Sequence, residues 1–156
     1  MAAATLVGAK AKAGVPTPGS GPGGTLKAAY GTITIDASSE AGDIWEVCKV
    51  PAGATVIGGW MTSIDGDTGI EALDIDIGWK ANADEILDAD GFGNNGVLVG
   101  AEFSPTGYHI PFGGVLQTVG PKTFTAETVI TLTTVAAAGT GAATETTVVV
   151  LYLFNE

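Results

Sequence analysis

The chain has 156 residues, enough for one domain with a real core, and is 46% hydrophobic but only 15% charged. Its 24 glycines, recurrent Thr and Val and lack of arginine favour strands and tight turns over helices, and exclude bidentate arginine recognition of phosphate. The net charge of −11 is unevenly placed: Lys10, Lys12 and Lys27 precede the first acid, Asp36, and from there seventeen acids meet three lysines, a net −14 that repels nucleic acid and anionic membrane.

The first region, residues 1 to 27, contains "KAKAGVPTPGSGPGGTLK", rich in Gly, Pro and Ala with almost no large apolar side chain. Such a segment cannot bury enough surface to offset its ordering entropy. Two readings stand side by side: a disordered tail, or an extended arm that orders only on a partner. The prolines favour extended backbone and the glycines let it lie flat. As an arm, its partner-contacting residues are Lys10, Lys12, Val15, Pro16, Pro18, Leu26 and Lys27. The opening "MAAATLVGAKAKAGVP" has no basic start and a short apolar run, so cytoplasmic synthesis without a secretory leader is expected.

Residues 28–156 read as the folded domain. Period-two alternation predicts strands over Tyr30 to Asp36, Ile44 to Val50, Thr55 to Ile64 and Ala72 to Trp79. In the last of these Leu73, Ile75, Ile77 and Trp79 share one face and Asp74 and Asp76 the other, the pattern of one packed and one wet face. The polar stretch "KANADEILDADGFGNNG" follows, where "DEIL" suits one helical turn. Short strands are expected at Val97 to Val99, Tyr108 to Pro111 and Val115 to Val119, and long ones at Thr128 to Val135 and Thr144 to Phe154, with "AAAGTGAA" as a flexible hairpin tip between them. Eight or nine strands, turn signals about every ten residues and no convincing helix predict an all-β fold, an antiparallel β-sandwich or jelly-roll-like body. The final strand, "TTVVVLYLF", is apolar at successive positions. It is either central and covered on both faces, or covered outside by another subunit. Val149, Leu151 and Leu153 are the candidate contact between copies.

No arrangement of residues suggests catalysis. Cys48 is the one cysteine, so no internal disulfide or cysteine metal cage can form, and its strand-like context predicts a packed thiol. His109 is the one histidine; it reads as a packed or interface residue, since no nucleophile elbow accompanies it. The acid pairs Asp65/Asp67, Asp74/Asp76 and Asp88/Asp90 have the chemistry of acid–base or calcium-binding groups. A calcium loop starting at Asp88 would need a closing glutamate at position 99, which is Val, and turns favour Asp for backbone reasons alone. The glycine clusters are followed by neither a helix nor the Lys-Thr/Ser of a phosphate loop. No metal and no cofactor is expected. Trp45, Trp60 and Trp79 read as core or interface anchors.

Taken together, "EVCKVPAGATVIGG", "LDIDIGW", "DADGFGN" and "GPKTFTAETVITLTTVAAAGTG" resemble a class of small structural proteins encoded beside the major capsid protein in tailed bacteriophages. The resemblance covers roughly residues 28 to 155 and implies a head decoration (cement) protein with a β-sandwich body. It implies a virion location on the capsid surface after synthesis in the host cytoplasm, the major capsid protein as partner and self-association, a homotrimer foremost. It carries over no catalytic residue. Two alternatives remain: another virion part, such as a head-fibre base or tail protein, or a carbohydrate- or receptor-binding module. The last requires an exposed aromatic platform drawn from Trp60, Trp79, Tyr108 and Phe112.

Overall fold

The computed structural model describes residues 24–64, 66–67, 72–97 and 108–154. Its elements in chain order are β1 (Thr25–Ile35), β2 (Ile44–Val50), β3 (Thr55–Ser63), β4 (Asp74–Trp79), β5 (Asp88–Val97), β6 (Tyr108–Pro111), a single helical turn α1 (Val115–Thr118), β7 (Lys122–Thr123), β8 (Thr128–Ala136) and β9 (Thr144–Phe154). One sheet runs β1-β9-β3-β6, with β7 also paired to β3; the other runs β2-β8-β4-β5. All named pairings are antiparallel. The expected all-β sandwich is the architecture found.

The core lies where the inner faces of the two sheets meet. Val148, Val150 and Tyr152 of β9 and Val56 and Met61 of β3 come from one sheet, and Ile75, Ile77 and Trp79 of β4 and Ile130 and Leu132 of β8 from the other. One end is aromatic. Trp79 packs edge-on against Phe92 at 5.0 Å and Phe124 at 5.3 Å, and Phe92 stacks on Phe112 at 5.1 Å. Lys122 closes this end, its Nζ 5.2 Å from the Trp79 ring centre and 2.9 Å from Glu85. Hydroxyls buried between the sheets bond one another: Ser63 Oγ lies 2.8 Å from Thr146 Oγ1, and Thr144 Oγ1 donates to the Ile64 carbonyl at 2.7 Å, so they leave no unmet polar group.

Several expectations are corrected. The first strand begins at Thr25 rather than Tyr30, so Leu26 and Lys27 pair with Leu153 and Tyr152. The glycine-rich run expected as a polar connection is β5. Its Gly91 makes room for packing: a Cβ there would stand 2.1 Å from Trp79 Cζ3. The "DEIL" segment is not helical; Asn82 Oδ1 accepts the N–H groups of Asp84 and Glu85 at 2.8 Å, and a turn forms around it. The strand expected at Val115 to Val119 is instead the turn α1, started by Gly114 at φ 55 and tied by the Gly113 N–H to the Phe92 carbonyl at 2.6 Å.

The connection from β8 to β9 is not a hairpin, because these strands lie in different sheets. It is pinned by Asp67. That side chain is 1% exposed, and its carboxylate accepts N–H bonds from Ala72 at 2.9 Å, Gly139 at 2.6 Å and Thr140 at 2.8 Å. Replacing Asp67 by Ala removes the acceptor shared by three backbone N–H groups, and denaturant unfolding should show a loss of about 3 kcal/mol. Phe92→Ala empties the aromatic end and should lose about 3–5 kcal/mol in the same assay. A loss below about 1 kcal/mol for either would contradict its assigned role.

Candidate functional site

Alternation along β1, β9 and β3 leaves the sheet they form with a second, outward face. Cross-strand register arranges it in rows. Leu26, Leu153, Thr55 and Thr123 make the first row; Ala28, Leu151 and Gly58 the second; Tyr30, Val149, Trp60 and Pro111 the third; Thr32, Thr147, Thr62 and His109 the fourth. Threonine pairs stitch the outer rows: Thr55 and Thr123 hydroxyls lie 2.8 Å apart, as do those of Thr32 and Thr147. Val149, Leu151 and Leu153, the residues expected to meet another copy, all sit on this face and are half-buried. Leu26 and Tyr30 beside them are exposed, Tyr30 by 74%. These four rows hold no carboxylate, lysine or arginine.

The other residues tied to the proposed arm lie elsewhere. Lys27 alternates away from this face, its Nζ 5.2 Å from the Phe154 ring centre. Lys10, Lys12, Val15, Pro16 and Pro18 lie outside the described residues. Tyr30, Trp60 and Gly58 were not singled out from the sequence as parts of one surface. The available signal was Leu26, Ala28 and Tyr30: apolar at every second position, on the face a solvated strand should make polar.

Charge collects around the opposite sheet. Lys49 pairs with Glu127 at 2.8 Å and Lys80 with Glu46 at 2.5 Å, both on exposed surface, where such pairs contribute little. The expected wet face of β4 is corrected: Asp76 is only 6% exposed and Thr131 of neighbouring β8 is buried too, because β4 lies between β5 and β8. Burial, then the Asp90 side chain beside it, holds the Asp88 carboxyl above its ordinary value. Hydrogen bonds from Ser38 hold Asp36 below its own, and the Lys80 ammonium does the same for Glu46.

The reactive groups are dispersed. Burial pushes the Cys48 thiol up to about 11, so it is protonated and unreactive at neutral pH. The His109 ring sits 5.6 Å from that of Trp60. No group of three or more His, Cys, Asp or Glu side chains that could hold a metal ion occurs among the described residues. Trp79 and Phe112 are buried in the core, so the four-aromatic sugar platform does not form. Trp45 is half-buried, its Nε1 3.4 Å from Thr134 Oγ1. What remains is an uncharged, open face suited to contact with another macromolecular surface.

No protein-family model matches the sequence, and no curated protein does. Solved structures match in fold. The chain is similar to one in the capsid asymmetric unit of cyanophage Pam1, at a TM-score of 0.69 and 24% identity, over 96% of this chain and 98% of that one. It is similar to a chain in the capsid of Ralstonia phage GP4, at 0.65 and 19%, over 86% and 87%. A third similar chain belongs to the acid-stable capsid of Helicobacter pylori bacteriophage KHP30, at 0.60 and 13%, over 86% and 91%.

The Asp88 geometry makes a pH prediction. A carboxyl raised in the folded state keeps its proton where the unfolded chain has lost it, so it lowers stability as pH rises through the window above the ordinary value of 3.8. Asp88→Asn should therefore raise Tm at pH 7 and leave it nearly unchanged at pH 3. An equal shift at both pH values would refute this cause.

Proposed function

We propose that this chain is a structural protein of a phage head, bound to the outer surface of the capsid, where it bridges shell subunits as a decoration (cement) protein. The observation that carries the proposal is likeness in fold, nearly end to end, to chains of phage capsid structures. The dispersed reactive side chains agree with a role in binding rather than catalysis. An acidic body suits a particle surface, since like charge keeps particles apart.

Within this reading the major capsid protein is the partner. The segment before Gly24 is the tether, with Lys10, Lys12, Val15, Pro16 and Pro18 as its contacts. Leu26 and Lys27 belong to β1, so they support the tether's root rather than its grip. A long segment with little apolar content binds weakly per unit area but spans seams between subunits. Copies also touch one another through Val149, Leu151 and Leu153, and simultaneous contacts multiply on a shell. The trimer implied by the family resemblance is one closed form of that association. A head-fibre base or tail protein would instead be present in few copies at one vertex.

Removing residues 1–23 spares β1, so the truncated chain should keep the Tm of the full chain yet no longer co-sediment with shells that lack the protein. Undiminished co-sedimentation would defeat the tether. Counting copies per purified particle tests the wider proposal: hundreds support decoration, a dozen or fewer point to a vertex component, and none defeats a virion role.

A further inference from the structure

The strand pairings fix which connections share an end of the sandwich. Thr25 of β1 lies opposite Phe154 of β9, Thr55 of β3 opposite Leu153 and Thr123, and Trp79 of β4 opposite Asp88 of β5 and Ile130 of β8. The entry to β1, the exit from β9 and the connections 51–54, 80–87, 112–121 and 124–127 therefore lie together at the aromatic end. Lysine is confined to this end. Among the described residues, Lys27, Lys49, Lys80 and Lys122 all lie at or beside the strand termini there, and Lys10 and Lys12 precede β1 in the chain. The opposite end presents Asp36, Glu40, Asp43 and Glu145, all exposed, with no lysine among the described residues. β9 has 11 residues, so the two ends stand ~35 Å apart, beyond three screening lengths of about 10 Å at 0.1 M salt. They act as separate surfaces.

Two apolar side chains project from the lysine-bearing end on backbone that is held in place. Ile86 is 84% and Val119 81% exposed, more than any other large apolar side chain among the described residues. The connection carrying Ile86 is fastened at several points. Trp79 Nε1–H donates to the Ile86 carbonyl at 3.1 Å, the Asn82 N–H to the Glu85 carbonyl at 3.0 Å, and the Asn82 side chain to Thr128 Oγ1 at 2.6 Å. Val119 caps the turn α1, its N–H donating to the Val115 carbonyl at 2.8 Å. The ion pair between Glu85 and Lys122 joins the connection of Ile86 to the strand that follows Val119. A side chain on backbone already fixed has less freedom to lose when a partner covers it.

We propose that this end of the sandwich is the footprint on the shell, with Ile86 and Val119 seated in apolar sockets on the outer surface of the shell protein. The inference rests on the capsid reading above and names the surface which that reading uses. Two observations select the shell as occupant. Residues 1–23 lead into β1 at this end, so a tether gripping the shell draws the end at its own root toward it. Docking also strips water from the groups it covers. Here Lys49, Lys80 and Lys122 already pair with Glu127, Glu46 and Glu85, whereas the exposed carboxylates of the opposite end would lose water with no lysine beside them. That end then faces solvent, where like charge keeps particles apart. The outward face of the β1-β9-β3-β6 sheet stays available for contact between copies, a three-fold axis running along the strands included. One end of the sandwich measures roughly 20 Å by 20 Å, on the order of 400 Å2, about half of what each partner gives to a standard interface. The footprint is weak alone and gains from the tether and from neighbouring copies.

Co-sedimentation of the full chain with shells that lack the protein, titrated to give an affinity, tests this. Ile86→Ser combined with Val119→Ser changes two exposed sites, so Tm and the circular dichroism spectrum should stay as they are. Shell affinity of this double variant should fall at least about ten-fold. Val135→Ser, at an exposed site toward the acidic end, should bind like the unaltered chain. Hydroxyl-radical labelling gives a second readout: Ile86 and Val119 should be protected on decorated shells relative to the free chain, and Val135 should not. Unchanged affinity of the double variant, or equal labelling of Ile86 and Val119 in both states, would overturn the footprint and leave the capsid reading standing. An unaltered chain that never pellets with shells would remove that reading, and the footprint with it.

Discussion

The sandwich depends on a crossover. The two longest β-branched runs, β8 and β9, follow one another in the chain yet belong to different sheets. Each becomes a central strand, and the valines, isoleucines and leucines on their inner sides form the middle of the core. A tight hairpin would have put both in one sheet. The Asp67 carboxylate takes the N–H groups of Gly139 and Thr140 and holds the connection in the other course. A buried charge is tolerated when several donors surround it, and three N–H groups converging on one carboxylate tie the connection to β9 and the segment before β4 together.

With the crossover in place, the two outer surfaces part in character. The aromatic end, where Trp79, Phe92, Phe112 and Phe124 interlock under Lys122, is rigid and closed. Salt-bridged lysines and most of the acids lie around the β2-β8-β4-β5 sheet. The β1-β9-β3-β6 sheet keeps an outward face of Leu, Val, Tyr, Trp and Thr. A sandwich that needed only to be stable and soluble would not leave Tyr30 exposed there. An apolar face on an acidic body is a contact surface of limited strength, useful when many copies act together.

That division gives the proposed shell component a contact face apart from its charged side. Cys48 is half-buried and protonated, and His109 rests on Trp60. The fold is shared with chains of phage capsid structures at 13% to 24% identity. Sequences this far apart keep alternation and core volume while surface residues change freely. The rows on the outer face are therefore where this chain's own partners should be written.

The sequence by itself determined the fold class and much of the strand layout. β2, β6 and β9 begin and end where alternation and turn residues place them, because period two and β-branching act within a few residues. It also determined that Val149, Leu151 and Leu153 would share a face. Tertiary structure alone decided the rest. Gly91 reads as a turn residue until Trp79 is seen to occupy the space of its missing side chain. Val115 to Val119 has strand-forming residues, but Gly114 turns the chain and its neighbour bonds to Phe92. Asp67 and Asp76 look solvated in the sequence and are buried in the fold. The reason is common to all of these: conformational preference is local, whereas burial, close approach and sheet membership depend on residues far away in the chain.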